Sequence, residues 1–266
     1  MGATVQPIVG KQNIKQAGQY IKKNHDRAFY LAWLVGIASG FRITDILEMQ
    51  WSNIDFNAGT VSLAENKGTR ARKARARLKV LAAVKNELIA LYSTDTAKMM
   101  AIFITPTKDI YDLIPDTLKP DVNSRILIAQ EAVNPKVRTA RLSPKALTEL
   151  RHRRSKNGSF DDGFIFNRNT LKSNRAVNCS GVLTRQSVWR VMKLVQKYLC
   201  SIGENVKLGS HSLRKIYSRA LYDTTKDIAL LMQAIGHSSP EMSLRYIGLG
   251  QCDQDAAADK MFAAFE

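Results

Sequence analysis

Residues 209–248 read GSHSLRKIYSRALYDTTKDIALLMQAIGHSSPEMSLRYIG, and their punctuation spells three short helices in succession. Ser210 suits the cap of a helix running to about Tyr222. Thr224 with Asp227 three residues on resembles a capping box, and Ser238 with Glu241 repeats that pattern with Pro240 in the first turn. Chemistry-bearing side chains sit at the joints. His211 and Arg214 are three apart and so share a helical face. His237 follows Gly236 at a junction, and Tyr246 comes nine residues later (246 − 237 = 9). Taken singly, each has an ordinary explanation: a satisfied polar histidine, a helix-end ion pair, a half-buried packing tyrosine. Their order and spacing as a set carry the information.

Working outward, Asp26 to Ser39 places Phe29, Leu31, Trp33, Leu34, Val35 and Ile37 around most of a helix, which predicts burial on nearly every side. Gly40 interrupts it, and the segment Gly40-Phe41-Arg42-Ile43-Thr44-Asp45 sets one arginine rigidly between this core helix and the next. A guanidinium so held offers a two-pronged donor that lysine does not reproduce. Residues 1 to 25 read as a basic arm or first short helix. Thr60 to Leu63 alternates as a strand, Asn66-Lys67-Gly68 reads as a hairpin tip, and Arg77 to Leu81 as a returning strand. Val84, Leu88 and Leu91 suit an amphipathic helix, and Ala101 to Ile104 a short buried strand. Residues 106–140, with Pro106, Pro115, Pro120 and Pro135, read as an insertion. Helices are expected at Leu147 to Arg154 and through Val188, Val191, Met192, Val195 and Leu199. A last amphipathic helix is expected from Asp255 to Phe265.

The bulk composition bears on partners. Forty Lys and Arg against 23 Asp and Glu leave a formal charge of +17 and a pI near 9.9. Nucleic acid is the commonest reason for such an excess. Arg151, Arg153, Arg154 and Lys156 form one candidate phosphate-facing cluster. Cys179, Cys200 and Cys252 show neither zinc-site nor disulfide spacing, which fits a reducing cytoplasm. The longest apolar stretch, Ala28 to Ala38, falls short of the roughly 20 residues of a membrane span, so no membrane association is expected.

These motifs resemble the tyrosine recombinases, the lambda-integrase-type or phage integrase family. Gly40 to Asp45 with Trp51 to Asp55 corresponds to the family's first arginine box, and His211 through Arg214 to its H-x-L-R box. His237 stands for its later histidine and Tyr246 for its nucleophile. The hairpin lysine maps to Lys67, with Lys136 in the hairpin-like stretch Lys136 to Ser143 as the rival. Lys215 follows Arg214 where many members have a histidine. The resemblance covers roughly residues 26–250. It implies an α+β, mainly helical catalytic domain with a small antiparallel sheet over 26–252, followed by a C-terminal helix at 253–266 that docks in trans. Larger members carry a further clamp domain ahead of the catalytic one.

What the resemblance implies about activity is site-specific cleavage and rejoining of double-stranded DNA through a 3'-phosphotyrosine at Tyr246, with no cofactor, metal or ATP. Arg42 and Arg214 would face the phosphate oxygens, His211 and His237 would hydrogen-bond or move protons, and Lys67 would protonate the departing 5'-oxygen. A homo-oligomer, tetrameric at synapsis, and an accessory protein are the implied partners, and plasmids or other mobile elements the implied setting. A type IB topoisomerase-like activity and a non-catalytic DNA-binding relative are the alternatives.

Overall fold

The computed structural model of the chain describes residues 5–157, 163–166, 183–248, 258–259, 261–263 and 265. It divides into two compact units: unit 1, Met1–Leu63 with Thr139–Glu266, and unit 2, Ala64–Arg138.

Unit 1 is organised on the hydrophobic helix α2 (Arg27–Ser39). Asp26 starts it by accepting a hydrogen bond from the Ala28 amide at 2.8 Å, and Gly40 ends it in a left-handed conformation at φ 63°. Leu31, Trp33, Leu34 and Val35 are buried, as the all-round apolar pattern predicts, and Phe29 and Ile37 are half-buried against the same core. Helix α1 (Lys11–Asn24) packs on α2 through Ala17 and Ile21, so the basic N-terminal stretch contributes to the core. Short α3 (Ile43–Leu47) follows Gly40 and Arg42.

Strand β1 (Ile54–Asp55) pairs antiparallel with β2 (Thr60–Ala64), which neighbours β3 (Val137–Arg141). Gly59 lies opposite Leu142 and Ser62 opposite Thr139, the latter pair joined by their hydroxyls at 2.7 Å, so β2 and β3 also run antiparallel. The chain continues through α7 (Pro144–Asn157), amphipathic α8 (Arg185–Ser201), α9 (Ser212–Thr225), α10 (Ile228–Ile235) and α11 (Pro240–Ile247). Helix α9 crosses α2 at close quarters. A β-carbon on Gly36 would stand 2.7 Å from Leu213 Cδ1, so only glycine allows the approach.

Unit 2 has its own core of Leu81, Val84, Leu88, Ile102, Ile110, Ile114, Val122 and Ile126. Its elements are α4 (Asn66–Leu91), α5 (Thr96–Ile104), a 3-10 segment at Thr107–Leu113 and α6 (Lys119–Glu131).

Several sequence expectations are corrected here. No hairpin tip stands at 66–68 and no returning strand at 77–81. Ala, Arg, Lys and Leu dominate residues 70–83, all strong helix formers, and the whole stretch lies within α4. Ala101 to Ile104 belongs to α5 rather than a strand, with Phe103 and Ile104 exposed. The separate unit begins at Ala64, well ahead of the expected insertion at 106–140, and most of that stretch is ordered helix. The caps also move. His211 rather than Ser210 holds the N-cap of α9, Asp227 rather than Thr224 caps α10, and Ser239 rather than Ser238 caps α11. Of the expected C-terminal helix from Asp255 to Phe265, residues 258–259 and 261–263 are helical, and Met261, Phe262 and Phe265 are exposed; residues 255–257, 260 and 264, with Cys179 and Cys252, lie outside the described residues.

Candidate active site

Four segments of unit 1 converge on the phenol of Tyr246. The first is the turn at Gly40, which seats Arg42 at the head of α3, half-buried. The second is the start of α9, which carries His211 and Arg214. The third is the α10–α11 junction with His237, and the fourth is α11 itself, which carries Tyr246 in its last turn.

The buried Arg214 guanidinium is tied to two backbone carbonyls. Its Nη1 donates to Gly40 O at 3.1 Å and its Nη2 donates to Ile235 O. Those bonds link α9 to the end of α2 and the end of α10, and they fix the plane of the cation 5.8 Å from the Tyr246 ring centroid. Gly40 permits this in two ways. Its positive φ suits glycine, and a β-carbon there would fall 2.3 Å from Tyr217 Cδ1.

The Tyr246 hydroxyl lies 3.2 Å from His211 Nδ1, and His211 is exposed. The His237 ring meets Tyr246 edge-on at 5.1 Å between centroids and 78° between planes, and its Nδ1 is 3.1 Å from the buried Ser243 Oγ. Burial raises the phenol pKa above its ordinary value, and the positive charges of Arg214 and then Arg42 pull it back part of the way. A neutral phenol with a ring nitrogen beside it and two guanidiniums in its field can exchange a proton with that nitrogen where an anion would be held.

Two contributors carry no weight in the sequence. Lys215 is buried, donates from Nζ to Val5 O at 2.6 Å and stands 5.5 Å from the Tyr246 ring centroid; burial lowers its pKa. Ser243 holds His237, and its one available signal is the spacing of three from Tyr246, which puts both on one face of α11.

Arg42, His211, Arg214, His237 and Tyr246 are thus placed within unit 1. Lys67 and its rival Lys136 both fall in unit 2. Lys67 is exposed in the first turn of α4, and Lys136 immediately precedes β3. The Glu65 amide donates to Lys136 O at 3.0 Å, so the two lysines flank one backbone pair.

The proposed phosphate cluster on α7 separates. Arg153 is buried, donates to Ile165 O at 2.6 Å, lies over Phe166, and has its pKa lowered to about 10 by burial. It is a core residue. Arg151 and Arg154 lie over the Phe56 ring, at 5.7 and 5.4 Å.

This arrangement of helices about a small antiparallel sheet is the fold of a tyrosine recombinase catalytic domain. The crystal structure of XerA recombinase superposes with a TM-score of 0.55 over 99% of this chain and 67% of that one, at 13% identity. The Tn1549 transposon integrase in complex with transposon right-end DNA gives 0.53 over 98% and 67%, also at 13% identity. The model of the phage integrase family matches residues 4–112. It is 24% identical over 258 residues, 97% of either chain, to the probable integrase/recombinase YoeC of Bacillus subtilis (strain 168).

Proposed function

We propose that this chain is a site-specific recombinase that cleaves and rejoins double-stranded DNA through a 3'-phosphotyrosine at Tyr246. The observation that carries this reading is the placing of the Tyr246 hydroxyl beside His211 with Arg214 and Arg42 acting on the same phenol. In attack, the phenol oxygen bonds to phosphorus, the 5'-oxygen departs, and the phenol proton passes to His211. Arg42 and Arg214 neutralise the nonbridging oxygens, where negative charge builds in the transition state. Lys67 delivers a proton to the leaving 5'-oxygen, with Lys136 as the alternative donor. The ester retains the energy of the broken bond, so a 5'-hydroxyl reverses the step without ATP, and the guanidinium pair supplies the fixed positive charge that a metal supplies elsewhere.

Strand exchange requires more than one protomer, and a synaptic tetramer joined through the C-terminal helix at 253–266 completes the reading. The relatives named as integrases and recombinases, and the Tn1549 integrase solved with DNA, support DNA as substrate.

The test is a nicked suicide duplex. Tyr246→Phe should bind it and form no covalent adduct, and EDTA should leave cleavage by the unaltered protein intact. Adduct formed by Tyr246→Phe, or cleavage abolished by chelation, would overturn the mechanism.

A further inference from the structure

Helix α4 opens with Asn-Lys-Gly-Thr-Arg-Ala-Arg-Lys-Ala-Arg-Ala-Arg-Leu-Lys, residues 66–79, which holds seven cations and no carboxylate. Spacings of three and four put Lys67, Arg70, Lys73 and Arg77 along one stripe and Arg72, Arg75 and Lys79 along another. Lys67, Arg70, Lys73, Arg75, Arg77 and Lys79 are exposed. Among the described residues none of the seven forms an ion pair, whereas further along the same helix Glu87 is paired with Arg125 at 2.7 Å. Such a sequence works against its own helix. Like charges one turn apart repel by about 0.2–0.5 kcal/mol a pair. Cations in the first turns also oppose the positive end of the helix dipole. The apolar side chains of α4 join the unit's core from Val80 onward, and ahead of them Arg77 lies over the Tyr111 ring at 5.8 Å. The cationic half therefore contributes little apolar surface to that core, and contact with a polyanion would neutralise its charge.

We infer that the first half of α4 is a second DNA-binding element, docking on the phosphate backbone of duplex DNA. This rests on the DNA reading above and adds a surface on unit 2. From Lys67 to Lys79 the helix rises about 18 Å, the length of about five base pairs of duplex. Alternating cations on two stripes suit phosphates on either side of a groove, a contact that positions the helix without itself reading sequence.

The experiment uses the full chain and a random-sequence duplex, with affinity measured across a salt series. Arg70, Lys73, Arg75 and Lys79 are replaced together by glutamine, which keeps helix propensity, and circular dichroism checks the helix. A control removes the same charge elsewhere, replacing exposed Lys11, Lys15, Lys23 and Lys197 by glutamine. The α4 variant should bind about tenfold more weakly or worse at moderate salt. Its slope of log affinity against log salt should become shallower by about 0.9 for each lost phosphate contact. The control should change both much less. Equal losses in the two variants, an unchanged slope with the helix intact, or a loss confined to RNA or to an acidic protein would overturn the inference. Failure of the recombinase reading is separable. In that case the unaltered protein forms no adduct on the suicide duplex, while the salt slope still answers for α4.

Discussion

Arg214 Nη1 donates to the carbonyl of Gly40 across 3.1 Å, so one catalytic candidate is fastened to the turn that presents the other, Arg42, two residues later. A buried guanidinium with both terminal nitrogens engaged by backbone cannot drift from its post. Arg214→Lys should therefore fail twice. Lysine cannot bridge both carbonyls, so unfolding free energy should fall by about 1–3 kcal/mol. Adduct formation should drop by about 100-fold or more from loss of a fixed oxyanion donor. Thermal denaturation and single-turnover trapping measure the two separately.

Gly40→Ala should damage the fold and the site together. The left-handed backbone costs a β-carbon about 1–2 kcal/mol, and the collision with Tyr217 adds about 1–3 kcal/mol. An unfolding free energy lowered by no more than the backbone cost alone would show that Tyr217 moves aside.

Because burial raises the Tyr246 pKa, the folded state prefers the neutral phenol. The unfolded chain then releases the proton at lower pH than the folded one. The stabilisation is complete below the ordinary phenol value and is lost as pH rises through the higher folded value. Stability of the unaltered protein should fall more steeply than that of Tyr246→Phe above about pH 10. Parallel alkaline profiles would contradict this.

A substrate with sulfur in place of the bridging 5'-oxygen separates the lysines. A thiolate leaves without a proton, so the true general-acid variant loses cleavage of the ordinary substrate and regains it on the sulfur one. Lys67→Ala should behave this way, and Lys136→Ala should cleave both. The reverse result would reassign the role.

Deleting residues 253–266 should spare cleavage of a suicide duplex and abolish strand exchange between two sites. Exchange at the normal rate would remove the C-terminal helix from the assembly.

Much of unit 1 was legible in the sequence because its signals are local. The all-apolar turns of α2, the break at Gly40 and the helical spacing of His211 and Arg214 survive unchanged in the structure. The caps were each misplaced by one to three residues: at α10 and α11 neighbouring threonine, aspartate and serines offer the same side-chain oxygen, and α9 starts at His211 with no side-chain cap at all. Ser243 was unreadable as a site residue and Lys215 was marked only by its place after Arg214, because their contacts with His237 and Val5 depend on how separate or distant turns meet. The error over residues 66–81 has a different cause. Strand β2 looks for a partner nearby in sequence, but its partner β3 begins at Val137, beyond a whole helical unit. Pairing at that separation leaves no short-range trace.

The Glu65 amide and the Lys136 carbonyl, 3.0 Å apart, and the ion pair of Glu65 with Arg138 at 3.7 Å mean that the chain enters and leaves unit 2 through a single gap. A segment whose two ends are neighbours behaves as a cassette, because a tight turn could close the breach it leaves behind. Descent with exchange at that one seam would let related enzymes vary what they grip while the chemistry beside Tyr246 stays the same.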